Sequence, residues 1–191
     1  THENSSAASD VYKRQLQWQF QEDTRERWIL KAPHYNGSEN FILEVFPDAQ
    51  FLVTHRDPII TASSLPSLYA HFLQAYSNTD WSEVVGPIAL NGIIYLAQLH
   101  LNVRDSYPEI EFLDISYSDI IGDIETVISQ AYQHLKMPLN ETSRQRMLDW
   151  NTANTQHKKG VHKHNLDKFS LDKQVVEQQL ADYKARFSQY F

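Results

Sequence analysis

Arg56 is the residue best placed for binding chemistry, because it follows a short apolar run and precedes a helix start. Residues 51–54 read as a buried strand, and Pro58 suits the first turn of a helix. Arg56 would then lie at the carboxyl end of a strand and face a helix N-terminus, a position that favours anions. We therefore predict an anion site at Arg56. The alternative is that Arg56 pairs only with Asp57 or a neighbouring carboxylate and closes the loop.

Two further apolar runs end on side chains that could reach the same ligand. Residues 27–31 end on Lys31, and residues 111–116 are followed by Tyr117. Residues 40–46, between the strands at 27–31 and 51–54, have helical spacing and could form a crossover helix. These two strands would then be parallel. Because the carboxyl ends of parallel strands meet at one edge of a sheet, we predict that Lys31, Arg56 and Tyr117 converge there.

Most of the remaining chain is predicted to form helices that pack against these strands, which gives an α/β fold. Asp123 and Asp172 are suited to cap helices, and either Asn140 or Thr142 could cap another. A break at Gly86 and the following proline should separate two helices. The predicted helices span residues 40–46, 58–76, 88–104 and 124–136, with one more ending at residue 151 and a last one opening at residue 172.

Several short segments occur in the order and spacing of a known family. They are WILKAPHY at 28–35, VFPDAQFLVTHRDP at 45–58, SLPSL at 64–68, YSDI at 117–120, KKGVH at 158–162 and FSL at 169–171. Together they resemble the PAPS-dependent sulfotransferases, in particular the bacterial-type branch with Lys-x-Pro and Thr-His-Arg-Asp-Pro motifs. The resemblance covers roughly residues 28–187, and each motif is weak alone but specific in this order.

The resemblance implies both a fold and an activity. The fold is a P-loop-nucleotide-like three-layer α/β fold with a central parallel sheet. The activity is transfer of a sulfuryl group from the co-substrate PAPS, 3′-phosphoadenosine 5′-phosphosulfate, to a hydroxyl or amine on a small-molecule or glycan acceptor. Adenosine 3′,5′-bisphosphate is then the product, and no metal is required.

The family also implies which residues bind the nucleotide. The positions that hold the 3′-phosphate correspond to Arg56 and Ser64, and a hydroxyl two helical turns beyond the strand end can still face the same anion. Ser63 is the alternative if the helix is rotated, and either serine could instead be an ordinary helix residue. Tyr117 corresponds to the tyrosine that packs near the adenine ring.

A basic pair followed by glycine, formed by Lys158, Lys159 and Gly160, resembles the family's second 3′-phosphate segment. The glycine would let backbone N–H groups approach the phosphate while the lysines supply charge. The alternatives are a solvated basic loop and a metal site. A metal site is disfavoured because the lysine charges oppose a cation and the sequence has no cysteine. The histidines concerned are His157, His162 and His164.

For catalysis, Lys31 is the candidate that neutralises charge on the departing 5′-phosphate, and His34 is the candidate base. The family usually places its histidine one residue later, where this chain has Tyr35. The base therefore remains open between His34, His55 and an acid outside this sequence. His34 could also do no more than cap a loop.

The glycine- and serine/threonine-rich loop that cradles the 5′-phosphosulfate in this family has no counterpart among the five glycines of this sequence. We therefore expect the C-terminal portion of a sulfotransferase, without its first strand and phosphate loop and with no activity of its own. Residues 1–15 are expected to be a disordered or non-native leader, and residues 16–191 a single domain. The alternative is a catalytically inactive nucleotide-binding or interaction module.

Composition excludes several other classes. The net charge of −7 argues against a nucleic-acid-binding protein, and the absence of cysteine excludes disulfide and thiol chemistry. No apolar run approaches membrane-spanning length and no signal peptide is visible, so we expect no membrane segment and a cytoplasmic location. Three aromatic residues after Arg56 could line an acceptor pocket, but such a stripe is more often core. They are Phe72, Tyr76 and Trp81.

Overall fold

The computed structural model describes Arg14, Gln15, Trp18 and residues 27–155 and 165–191. These residues divide into two compact units. The first contains the described residues up to Phe51 together with Leu96–Glu111, and the second contains Leu52–Tyr95 and Phe112–Phe191. The single domain expected over residues 16–191 stays a prediction.

The described chain is an α/β fold built around a short parallel sheet. Strands β1 (Phe51–His55) and β2 (Phe112–Ser116) are hydrogen-bonded neighbours, and two long helices, α2 (Pro58–Gln74) and α3 (Ser82–Ser106), connect them. The predicted α/β class with a parallel sheet is confirmed. The elements in chain order are α1 (Glu39–Val45), β1 (Phe51–His55), α2 (Pro58–Gln74), α3 (Ser82–Ser106), β2 (Phe112–Ser116), α4 (Tyr117–Gly122), α5 (Ile124–His134), α6 (Glu141–Ala153), α7 (Lys173–Gln179) and α8 (Ala181–Arg186), with 3₁₀ turns at Pro33–Tyr35, Asp167–Phe169 and Ser188–Tyr190.

The strand predicted at residues 27–31 does not form. Residues 27–32 carry no regular structure, and the Ile29 side chain is 93% exposed. A strand exists only when a second strand completes its ladder of hydrogen bonds, and an apolar run alone does not supply one. Helix α1 forms close to its predicted position but therefore does not connect two strands in the described part of the chain.

Helix α3 begins six residues earlier than predicted and runs through Pro87 without a break. Pro87 has no backbone N–H to donate to the Glu83 carbonyl, so one hydrogen bond is lost in the second turn. The remaining hydrogen bonds of the 25-residue helix outweigh this loss. Contrary to expectation, α3 is long and apolar enough to cross a membrane, with a mean hydropathy of 1.5 over its best window. Core helices of soluble proteins can have the same length and hydropathy, so these two properties assign no membrane role to α3.

All three predicted helix caps are present in the second unit. Asn140, not Thr142, caps α6, because its side-chain oxygen accepts a hydrogen bond from the Ser143 backbone N–H. Asp123 caps α5 and Asp172 caps α7 in the same way. The core of this unit combines strand residues with one face of several helices. Its buried apolar residues include Val53, Ala62, Val85, Ile115, Val127, Phe169, Val176, Leu180 and Phe187.

In the first unit, hydrogen bonds among buried Glu39, buried His100 and half-buried Arg104 form a triad that holds α1 against the end of α3. Glu39 Oε1 lies 3.0 Å from His100 Nδ1, and Arg104 Nε donates to His100 Nε2 at 3.2 Å. Because Nε2 accepts, Nδ1 carries the proton and donates to the carboxylate. Gly37, at φ +79°, lies so close to α3 that a Cβ on it would be 2.1 Å from the Leu99 Cβ. The triad and this glycine together fix α1 in place.

Two glycines of α3 should respond oppositely to alanine. A Cβ at Gly86 would lie 1.9 Å from the Phe169 carbonyl oxygen, whereas a Cβ at Gly92 meets nothing within 4 Å. The Gly86 contact is with backbone, which cannot rotate away, so Gly86→Ala should destabilise the fold by ~1–3 kcal/mol or more. Gly92→Ala should stabilise it by ~0.5–1 kcal/mol through helix propensity. Urea unfolding measures both, and equal free-energy changes would contradict this packing.

Candidate functional site

Arg56 occupies the junction between β1 and α2. Strand β1 ends at His55 and α2 begins at Pro58, so Arg56 lies beside the helix start as predicted. The Asp57 side chain caps α2 instead of pairing with Arg56, since its Oδ1 accepts from the Ile59 backbone N–H at 2.8 Å. Arg56 forms no ion pair with any described residue, and its buried Nε has no hydrogen-bond partner there. The alternative in which Arg56 pairs with Asp57 is therefore wrong.

The Arg56 side chain rests on an aromatic ring. Its guanidinium carbon lies 4.5 Å from the centroid of the Tyr117 ring, a cation–π contact. Tyr117 is the first residue of α4 and directly follows β2, so the pairing of β1 with β2 brings both residues to one sheet edge. Two of the three predicted strand-end residues thus meet. The contact of Tyr117 with adenine stays a prediction.

The two candidate serines on α2 differ in how available their hydroxyls are. Ser63 is buried, and its Oγ donates to the Ile60 carbonyl at 2.8 Å. Ser64 is half-buried, and its Oγ lies 3.3 Å from the Thr61 carbonyl, which is a longer and weaker hydrogen bond. The helix is therefore oriented so that Ser64, the family position, is better able to bind an anion than Ser63.

Lys31 and His34 belong to the first unit, and both side chains are exposed. His34 lies in the 3₁₀ turn Pro33–Tyr35. Lys31 does not lie at the end of a strand in the described structure. The prediction that a strand at residues 27–31 places Lys31 at the sheet edge beside Arg56 is therefore wrong. The catalytic roles of Lys31 and His34 stay predictions.

The second phosphate segment and its neighbouring histidines lie outside the described residues. Within residues 27–155 and 165–191 there is no cluster of three or more His, Asp or Glu side chains able to hold a metal ion. The anion-binding role of the basic segment stays a prediction. The residues concerned are Lys158, Lys159, Gly160, His157, His162 and His164.

His55 is unsuited to act as the catalytic base, because it is fully buried and both ring nitrogens are engaged. Nε2 lies 2.8 Å from Asp114 Oδ1, and Nδ1 lies 2.8 Å from Tyr183 Oη. Sequence reasoning did not identify Asp114 or Tyr183. The available signal was a carboxylate in the middle of the apolar strand Phe112–Ser116, because a charge at such a position needs a partner.

Two of the three aromatic residues after Arg56 lie outside the core, whereas Trp81 is half-buried. Phe72 is 57% exposed and Tyr76 is 91% exposed, so the core interpretation is wrong for both. Tyr76 also lies beyond the end of α2. These two residues therefore leave an apolar surface open in the second unit.

Comparison with known proteins decides the family. A family model described as the sulfotransferase family matches residues 2–141, which is well over half of the chain. The chain belongs to the sulfotransferase family. The match begins before Trp28 and ends before Lys158, so it includes the Arg56 motif, the two α2 serines and Tyr117.

Two curated relatives and one solved structure extend this result. This chain is 29% identical over 116 residues to the omega-hydroxy-beta-dihydromenaquinone-9 sulfotransferases Stf3 of Mycobacterium bovis and Mycobacterium tuberculosis, covering 58% of this chain and 29% of each relative. It superposes on the crystal structure of sulfotransferase STF9 from Mycobacterium avium with a TM-score of 0.73 and 25% identity, covering 84% of this chain and 41% of that one. The family resemblance and the α/β fold are therefore confirmed, and the chain spans less than a third of its curated relatives.

Proposed function

We propose that this sulfotransferase transfers a sulfuryl group from PAPS to an acceptor hydroxyl, and that Arg56 holds the 3′-phosphate of the nucleotide. The observation that supports this most strongly is the Arg56 guanidinium, which has no carboxylate partner in the described chain and a buried Nε without a hydrogen bond. A buried N–H donor without an acceptor costs free energy. A phosphate would supply that acceptor.

The surroundings of Arg56 suit a phosphate rather than a neutral ligand. The guanidinium presents a planar fork of donors that matches phosphate oxygens, and the Tyr117 ring holds that fork in one orientation. The start of α2 adds a partial positive charge beside it. In our proposal Ser64 contributes its hydroxyl, and the segment of Lys158, Lys159 and Gly160 contributes further charge and backbone donors.

In the proposed reaction the acceptor oxygen attacks sulfur in line, and the bond from sulfur to the 5′-phosphate oxygen breaks. Negative charge then grows on the departing phosphate, where Lys31 would neutralise it. The acceptor hydroxyl loses its proton to His34, whose exposed imidazole would act as the general base. The products are a sulfate ester and adenosine 3′,5′-bisphosphate.

We propose a hydroxyl on a small apolar molecule as the acceptor. The curated relatives are named for an omega-hydroxylated menaquinone derivative, which is a small-molecule alcohol. The exposed rings of Phe72, on α2, and Tyr76, just beyond its end, offer apolar surface, which suits such a molecule better than a glycan.

The test is transfer of labelled sulfate from PAPS to a panel of isoprenoid alcohols, matched amines and glycans. We expect transfer to the alcohols by a version extended upstream to carry the family's glycine-rich loop. We expect none from the 191 residues, whose sequence has no such loop. Nucleotide binding without transfer by the extended version would instead favour an inactive nucleotide-binding or interaction module. Robust turnover by the 191-residue chain would contradict the role given to the loop.

A further inference from the structure

The imidazole of His55 joins three elements of the second unit. It lies at the end of β1, its Nε2 is 2.8 Å from Asp114 Oδ1 on β2, and its Nδ1 is 2.8 Å from Tyr183 Oη on α8. A carboxylate can only accept, so Nε2 carries a proton and donates to Asp114. In the neutral ring Nδ1 then accepts from the Tyr183 hydroxyl. Every hydrogen-bonding position of the buried ring is thus used.

The last residues of the chain pack against the same ring. The Phe187 ring is stacked on His55 at a centroid distance of 4.4 Å, and the Tyr190 ring is stacked at 4.9 Å. Stacking of this kind restricts the orientation of the imidazole beyond what two hydrogen bonds achieve. The C-terminal segment from Tyr183 onward therefore fixes the end of β1 in place.

The position of this network in the chain connects it to the candidate nucleotide site. His55 directly precedes Arg56, and Asp114 lies three residues before Tyr117. The His55–Asp114 hydrogen bond therefore joins the two strands just before the residues that form the Arg56–Tyr117 contact. Any movement of one strand end relative to the other would change the direction of the guanidinium.

We propose that the network of Asp114, His55 and Tyr183 is a positioning element for the nucleotide site, which aims Arg56 by locking the ends of β1 and β2 together. This inference rests on the proposed function, since it assumes that Arg56 binds the nucleotide. His55 acts through Arg56 and does not touch the reacting atoms. The C-terminal segment becomes a determinant of nucleotide affinity although it carries none of the proposed phosphate ligands.

The first test compares two tyrosines that both contact His55. Tyr183→Phe removes the hydroxyl bound to Nδ1, whereas Tyr190→Phe keeps a stacked ring and removes a hydroxyl that bonds to no described residue. We expect Tyr183→Phe to weaken binding of adenosine 3′,5′-bisphosphate to the 191-residue chain by about fivefold, the effect of one lost hydrogen bond. Tyr190→Phe should leave the affinity unchanged. Equal affinities for the two variants would overturn the proposal.

A double-mutant cycle separates positioning from general stabilisation. If His55 acts through Arg56, then His55→Phe combined with Arg56→Ala should bind no more weakly than Arg56→Ala alone. Losses that multiply would show that the network acts independently of Arg56 and would overturn this inference while leaving the proposed function intact. An Arg56→Ala variant with unchanged affinity would overturn the proposed function itself. If His55→Phe does not fold, Tyr183→Phe, which keeps the aromatic ring, takes its place in the same cycle with Arg56→Ala.

Discussion

Replacing Lys31 by alanine should remove most of the sulfate transfer from a version of the protein that carries the glycine-rich loop. The expected loss in kcat/KM is about 10²–10³-fold, the effect of removing one group that stabilises charge only as it develops. Lys31 is exposed in the first unit, so the fold should tolerate its loss within about 0.5 kcal/mol. The measurement is transfer of labelled sulfate from PAPS over a range of acceptor concentrations, which gives kcat and KM separately.

Lys173 provides the matched control for this experiment. Its ammonium lies 3.7 Å from a Glu177 carboxylate oxygen at the exposed start of α7, and it has no proposed part in the chemistry. Lys173→Ala should keep full activity. If Lys31→Ala also kept full activity, or changed KM for the acceptor without changing kcat, Lys31 would not be the residue that neutralises the departing phosphate.

Replacing Arg56 by alanine should weaken binding of adenosine 3′,5′-bisphosphate to the 191-residue chain by ~1.5–3 kcal/mol, or at least tenfold in Kd. The loss reflects charge-assisted hydrogen bonds to the 3′-phosphate that no neighbouring residue replaces. Arg56 pairs with no described carboxylate, so the substitution leaves no buried charge without its partner. Calorimetric titration measures the effect.

An exposed arginine on α6 serves as the control for net charge. Arg146→Ala removes the same positive charge from a surface position with no proposed role. Its affinity for the nucleotide should equal that of the unchanged protein. Equal losses for Arg56→Ala and Arg146→Ala would show that the nucleotide responds to overall charge and not to a built site.

Features set by neighbouring residues could be predicted from the sequence. The junction at Arg56 is one of these, because the next two residues start α2: Asp57 supplies its cap and Pro58 fixes its first turn. The caps at Asp123 and Asp172 are of the same kind. These local preferences agree with the final fold, so the strand end and the helix start appeared where expected.

Features that depend on distant partners could not be predicted. Residues 27–31 have the composition of a strand, but a strand needs a hydrogen-bonded neighbour that no local pattern reveals. His55 and Tyr183 are separated by 128 positions, and nothing near either residue indicates that they bond. The sequence therefore predicted an anion site at Arg56 but gave no sign of the hydrogen bonds that join His55 to Asp114 and Tyr183. The sequence also left His55 open as the catalytic base, because a short motif does not show that the side chain is buried.

The most direct test of an Arg56-centred 3′-phosphate site compares two nucleotides in two proteins. The unchanged chain should bind adenosine 3′,5′-bisphosphate at least about tenfold more tightly than adenosine 5′-phosphate, which lacks the 3′-phosphate. Arg56→Ala should bind both nucleotides with nearly the same Kd, because the group that recognises the difference is gone. An Arg56→Ala variant that kept the full preference for the 3′-phosphate would contradict the site.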